Sequence, residues 1–253
     1  MTTPATAKFP PAARPPEPDD GIDYPYGPDA LPVKSMYQFV PQAYMQSALE
    51  AWLDDPTTLV ASQMFIYYEP GNPRVSVAPD VYVIPNVGSA LRRSYFLWLE
   101  HEVPTFAMEI ASSSTYRNDG GFKHRLYESW GVQEYWRYDP EGALFTPLLQ
   151  GHRLVDGRYE PIAVAVDAER GECRGFSPLL GLELHGRVGW FRFLNPATGQ
   201  FLPNRQELLQ EQQELVQERQ ELEQERDAER AARIAAEARI RQLEAQLENR
   251  EEG

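Results

Sequence analysis

Residues 104–139, PTFAMEIASSSTYRNDGGFKHRLYESWGVQEYWRYD, constrain this chain more than any other stretch. An apolar run ending in an acid, a polar turn, a helix and a second apolar run follow one another with no room for another arrangement. Glu109 sits among Phe106, Ala107, Met108 and Ile110, where a carboxylate is costly to bury unless something binds it. Lys123 follows on the helical segment. Upstream, Asp80 interrupts a second apolar strand, RVSVAPDVYVI. Two strand carboxylates and a helix lysine are the residue types of a metal-dependent site.

The segments around this stretch predict an α/β domain. Residues 1–33 hold nine prolines and few aliphatics, a composition that cannot repay the entropy of ordering, so a disordered arm is expected there. From Pro41, QAYMQSALEAWLDD places Tyr44, Ala48, Leu49 and Trp52 on one helical face, with Pro41 in the first turn. TLVASQMFIYYE reads as one strand, closed by a Gly-Asn-Pro turn at 71–73. SALRRSYFLWLEHE has the spacing of a short helix. Its Arg92 and Arg93 could meet phosphate, although solvated arginines are the default for surface charge. The SSST run and Asn118-Asp119 supply N-cap candidates for GGFKHRLYESW, Gly131 closes that helix as a left-handed cap, and VQEYWRYD is the next strand.

Beyond Asp139, Asp156-Gly157 between HRLV and RYEPIAV is a hairpin signal. Short strands follow, ending in a hairpin over GRVGWFRFLNPATGQFLP, and no convergent set of ionisable residues is evident in this part. It is expected to form a β cover on the core. Residues 34–203 therefore make one domain and 204–253 a long helix. Leu208, Leu215 and Leu222 repeat every seven residues, and Ile240, Leu243 and Leu247 rejoin the pattern after a polar middle. Gln212, Arg219, Arg226 and Arg233 weaken that seam, so a solvated single helix with pairs such as Glu229 to Arg233 is the alternative to a coiled coil.

At 253 residues and 42% hydrophobic content the chain can bury one good-sized core. Its single cysteine, Cys173, excludes an internal disulfide and a Cys-rich zinc site, which suits a reducing cytoplasm. No run of eighteen apolar residues or signal-peptide core is present, so neither membrane nor export is expected. The net charge of −14 argues against coating nucleic acid by electrostatics alone, though not against a local groove.

Phosphodiester hydrolysis asks for a cation that binds the phosphate and acidifies a water, and strand carboxylates are hard ligands suited to magnesium. A nearby lysine can position the water or stabilise developing charge. Pro-Asp is also a common turn start, which leaves Asp80 a structural alternative. Lys123 is one of only three lysines, with Lys8 and Lys34, among 24 Lys and Arg. Its compact ammonium is not replaced by a planar guanidinium. A plain surface lysine is the competing account.

APDVYVI, FAMEIASSST, the D-x-x-x-K-x-x-x-Y pattern over Asp119, Lys123 and Tyr127, and GVQEYWRYDP together resemble the Uma-two restriction-endonuclease family, within the PD-(D/E)XK nuclease superfamily. The resemblance runs from about Pro41 to Pro203. It implies a restriction-endonuclease-like α/β core with a central mixed sheet flanked by helices, a metal site and phosphodiester hydrolysis, to which the residues add the β-rich C-terminal cover and the long coiled-coil helix. It further implies Asp80 and Glu109 as metal ligands for magnesium, with manganese as the substitute, and Lys123 as the catalytic lysine. In the superfamily's founding pattern the lysine lies two residues after the strand acid, where this chain has Ala111. The lysine is therefore expected to have migrated to the helix and to reach the site if Phe122 and Leu126 pack on the sheet. Glu50 is the available candidate for the acid that the superfamily often places on its first helix, an exposed helix glutamate being the commoner account of such a residue.

Two functions follow as expectations. One is a metal-dependent DNA endonuclease. The other is a catalytically silent member acting as an interaction module through its helix, as a homodimer or with the tail docked. The acidic total favours the second, and the complete residue set favours the first.

Overall fold

The computed structural model describes residues 18–22 and 35–251, with side chains of the last helix described through residue 241 except at 240. The expected proline-rich arm thus falls mostly outside the described residues, as do the side chains of Ile240, Leu243 and Leu247. The chain divides into two compact units, Met1–Leu202 and Pro203–Gly253. No helix among the described residues is long and apolar enough to cross a membrane.

In the first unit, α1 (Met36–Leu53) leads into β1 (Leu59–Ala61), β2 (Ile66–Tyr67), β3 (Ser76–Val77) and β4 (Val81–Ile84). Next come β5 (Tyr95–Phe96), the single turn α2 (Leu97–Glu100) and β6 (Phe106–Ile110). The connection from β6 is helical throughout: α3 (Tyr116–Asn118), a π-helical turn (Asp119–Lys123) and α4 (His124–Trp130), delivering the chain to β7 (Glu134–Tyr138). Then follow β8 (Leu149–Val155), β9 (Arg158–Ile162), β10 (Val164–Asp167), β11 (Glu172–Ser177), β12 (Leu182–Arg187), β13 (Trp190–Asn195) and β14 (Gln200–Phe201). The second unit is α5 (Arg205–Glu251).

The central sheet is mixed, in the order β1-β4-β6-β7-β8-β9. Only β6 and β7 run parallel in it, pairing Glu109 with Arg137, and a helical crossover of the kind parallel strands need joins them. A second sheet, β10-β11-β12-β13-β14, is wholly antiparallel, and β3-β2-β5 forms a small third one.

Strand alternation divides the core. Met108, Ile110, Trp136 and Tyr138 face α1 and the second sheet, meeting Met45, Leu49, Leu182, Leu184 and Phe193. Ala107 and Tyr135 face the other way, onto Tyr127 and Val132. Both faces of β6 are therefore covered, and all five of its residues are buried. Trp136 lies across two bare glycines, where a Cβ would stand 2.5 Å (Gly151) and 2.8 Å (Gly175) from its ring. The indole thus lies between the two large sheets, beside Tyr138, which packs on Gly186 of the second.

Several expectations need correction. Helix α1 starts at Met36, and Pro41 is inside it. Ser35 N donates to Gln38 Oε1 at 3.3 Å, and the first turns are exposed, so water can serve the carbonyl that Pro41 leaves unpaired. The single strand expected over 58–69 is two strands in different sheets, broken where Gln63 takes φ 54°. The helix expected over 89–102 is mostly extended, with one helical turn at its end.

Arg92 explains that change and is neither a phosphate contact nor a solvated charge. Its side chain is 2% exposed, pairs with Glu100 at 2.8 Å and donates to the carbonyls of Val87, Gly88 and Ala90. The 156–157 hairpin forms with both residues at positive φ, but β8 and β9 extend the central sheet, leaving β10–β14 as the cover. That cover does hold a cluster of ionisable side chains. His185 sits between Glu172 at 2.7 Å and Glu183 at 2.9 Å.

Candidate active site

Because Glu109 shares the face of Ala107, its carboxylate lies under the crossover helix, where it is 1% exposed. Its two oxygens have different partners. Lys123 Nζ donates to Oε2 at 2.7 Å, and Tyr127 Oη donates to Oε1 at 2.8 Å. Lys123 Nζ also stands 3.1 Å from Asp119 Oδ1. All three residues of the D-x-x-x-K-x-x-x-Y pattern thus converge on the strand acid. Asp80, at the mouth of the neighbouring strand, accepts the N–H of Ile110 at 2.7 Å, which ties it to the residue beside Glu109. Gln63 Nε2 donates to its other oxygen at 3.4 Å.

A local backbone feature makes this convergence possible. Residues Asp119–Lys123 form a π-helical turn, which widens the helix and removes carbonyls from the regular ladder. Strand β7 supplies the missing donors: Tyr135 Oη bonds the Asp119 carbonyl at 2.8 Å and Arg137 Nη2 the Tyr116 carbonyl at 3.0 Å. Gly120 admits that guanidinium, since a Cβ there would lie 2.9 Å from Arg137 Nη1. Ser112 starts the crossover, its Oγ accepting the N–H of Thr115 at 3.2 Å. Neither Thr115 before α3 nor Asn118 before the π turn makes a side-chain cap bond, so the SSST run contributes this turn rather than a cap, and Asp119 is turned inward. Gly131 closes the helix at φ 84°.

Burial pushes the Glu109 carboxyl up to about 8, against the pull of Lys123, with Asp119 and Asp80 adding repulsion. Asp119 is raised for the same reasons, burial first. Burial alone would depress Lys123, but the carboxylates of Glu109, Asp119 and Asp80 outweigh it and hold the ammonium above its ordinary range. One cation thus serves three acids, so the cluster holds more carboxyl groups than it has ammonium groups to neutralise them.

That surplus suits a hard cation. Neither Asp119 oxygen has a hydrogen bond of good geometry among the described residues, although the side chain is 1% exposed. Among the described residues no three His, Cys, Asp or Glu side chains form a ready metal cage. Magnesium does not need one, because it keeps several waters and takes one or two carboxylates. The donor set of Asp80 and Glu109 fits such an ion, with Asp119 as a third oxygen source behind Lys123.

The cluster opens into a cleft of about 890 Å³ that Asp80, Glu109 and Lys123 share with Ser112, Phe39 and Phe122. Leu126 packs into the core as expected. Phe122 does not, being 46% exposed at the cleft. Glu50 is not brought to this site. It is exposed on α1, accepts Gln46 Nε2 at 3.0 Å and borders a different cleft with Arg92 and Arg93. The α1 residues at the Glu109 cleft are Gln38 and Phe39. Asp119 and Tyr127 join the site through a spacing that was visible in the sequence, whereas nothing in the sequence marks Gln63.

The Uma2 family, described as "Putative restriction endonuclease", matches residues 38–184. A crystal structure of a "putative nuclease belonging to DUF820" from Anabaena variabilis ATCC 29413 is similar over 55% of this chain and 75% of that one, at 14% identity and a TM-score of 0.39. No curated protein matches the chain. The match over 38–184 takes in Asp80, Glu109, Asp119, Lys123 and Tyr127, and the chain belongs to the Uma2 family.

Proposed function

We propose that the protein is a metal-dependent endonuclease that hydrolyses phosphodiester bonds of DNA. The observation that carries the reading is the buried Glu109, held between Lys123 and Tyr127 at a cleft bordered by Asp80. Asp80 and Glu109 would hold magnesium or manganese, which supplies a Lewis acid for the scissile phosphate and for the attacking water. Tyr127 fixes the orientation of Glu109 by occupying one oxygen. Asp119 does the same for Lys123 and keeps its ammonium charged. Lys123, the cation lining the cleft, hydrogen-bonds the attacking water and faces the charge that builds on the phosphate oxygens. Incubating plasmid DNA with the purified chain and magnesium should yield cuts that chelator prevents. Intact plasmid under every cation tried would end this reading.

A second reading rests on a separate observation. On α5, Leu208, Leu215 and Leu222 are 42%, 58% and 60% exposed within their own unit. A heptad stripe of leucines buries its surface against a matching helix, so a homodimer through α5, or a tail docked on another surface, makes the protein an interaction module with or without cleavage. Light scattering on the full chain and on a Leu215→Lys, Leu222→Lys variant should give different masses if the stripe self-associates.

A further inference from the structure

Phe122 and Phe39 are the odd residues of the cleft. Phe122 directly precedes Lys123, yet its ring is 46% exposed, and Phe39 on α1 is 57% exposed. Both line the cleft that holds Asp80, Glu109 and Lys123. Neither ring stacks on another among the described residues, whereas the buried rings of this unit, such as Tyr127, Tyr135 and Trp136, are enclosed in its core. The rest of the lining is as informative. It includes the hydroxyls of Ser112, Ser113 and Ser114 and the carboxylate of Glu141, with no arginine among the described residues. Lys123 is the one basic residue of the described lining, and that ammonium is already paired to Glu109 and Asp119.

Duplex DNA is held mainly through its phosphates, by arrays of Lys and Arg whose contacts release counterions. The described lining of this cleft has no such array. A strand with unpaired bases offers a different handle, because a base face stacks on an aromatic ring with little regard to sequence. We infer that Phe122 and Phe39 are base-stacking residues, and that the preferred substrate is a DNA strand carrying unpaired bases, as a single strand or a flap. This rests on the nuclease reading and deepens it. A base on Phe122 would bring an adjoining phosphate toward Lys123, the next residue in the chain. The loss of base pairing that a duplex would have to suffer is absent in such a strand.

The test uses the full chain with calcium in place of magnesium and oligonucleotides carrying the fluorescent base 2-aminopurine. Three forms are compared: single strand, flap and complete duplex. Stacking predicts quenching and tighter binding for the first two. Phe122→Leu keeps apolar bulk without a ring, and should weaken that binding roughly five- to 150-fold while leaving duplex binding unchanged. Phe122→Trp should restore it. Equal melting temperatures exclude collapse of the variant, and the tryptophan variant keeps the comparison open if leucine disturbs the fold. Duplex bound as tightly as single strand, or Phe122→Leu indistinguishable from wild type, would overturn the inference and leave the nuclease reading standing if plasmid is still cut. Failure to bind any form, together with intact plasmid in magnesium, would remove both.

Discussion

Two ion pairs in this chain have nearly the same geometry and opposite meaning. Lys123 meets Glu109 at 2.7 Å, and Arg233 meets Glu237 on α5 at 3.0 Å. The first pair is 16% and 2% exposed, the second 82% and 53%. In water, side-chain ordering and screening consume most of the attraction, so the α5 pair decorates a helix that its neighbours could equally support. Under the crossover helix the charges are largely desolvated, and removing one leaves the other stranded. Contact distance alone does not distinguish a site from a solvated face. Burial, partner count and surplus carboxyl groups do.

The largest effect belongs to Lys123. If its ammonium positions water or faces the phosphorane charge, Lys123→Ala should cut cleavage by roughly a hundredfold or more. Lys123→Arg preserves charge but changes shape and basicity, so a catalytic lysine stays crippled where a simple phosphate contact would retain activity. Asp80→Ala and Glu109→Ala should instead weaken magnesium or manganese binding by calorimetry. Equal rates for wild type and Lys123→Ala would make the buried pair as inert as the exposed one.

Tyr127→Phe comes next. It deletes the hydroxyl that serves Glu109 Oε1 and leaves that oxygen buried without its donor. The expected cost is about 1–3 kcal/mol in a urea titration. A change below about 0.5 kcal/mol would mean that water reaches the carboxylate, and the contrast with α5 would shrink accordingly.

A third effect is pH dependence. The folded-state pKa of Glu109, about 8, lies above its ordinary 4.5. Between those values the native protein binds more protons than the unfolded chain, so this group's contribution to stability is full below about 4.5 and is lost as pH rises through about 8. Glu109→Gln cannot titrate. The difference in melting temperature between wild type and Glu109→Gln should therefore drift against wild type as pH rises through that window. A flat difference from pH 5 to 8 would show that Glu109 is ionised throughout.

How far sequence reasoning reaches can be read from the same residues. The central strand, helix and strand were visible because apolar alternation, the Gly131 cap and the Asp119, Lys123, Tyr127 spacing are local signals. The limits of α5, Arg205–Glu251, follow from an uninterrupted run without Pro or Gly. Other features depend on how the folded chain encloses a residue, which no spacing announces. Arg92 is an internal clamp because Glu100 and three carbonyls happen to surround it. Gln63 turns at positive φ with no glycine to announce it. The π turn draws on Tyr135 and Arg137 from the next strand, so no pattern within the helix could have shown the widened backbone there. Phe122 reads as a core residue by type, and its exposure becomes visible only once the cleft has walls.

The smallest expected effect tests the solvated side of the comparison. On α5, Arg219 with Glu223 and Arg233 with Glu237 are four residues apart, the spacing that brings helix side chains together. At these exposures Arg233→Ala should change stability by less than about 0.5 kcal/mol. The helix should still respond to salt, because several such pairs act at once. Raising ionic strength from about 0.1 to 1 M shortens the screening length from about 10 to 3 Å, which should lower helicity by circular dichroism if the pairs support α5 alone. The N-terminal end should resist longest, since Asn204 Oδ1 accepts the N–H groups of Gln206 and Glu207 at 2.8 and 3.0 Å while Glu207 Oε2 returns a bond to Asn204 N at 2.7 Å. If the leucine stripe is instead buried in a dimer, added salt should leave helicity unchanged or raise it, and the response should become concentration-dependent. One titration at two protein concentrations therefore separates a helix held by solvated charge from one held by Leu208, Leu215 and Leu222.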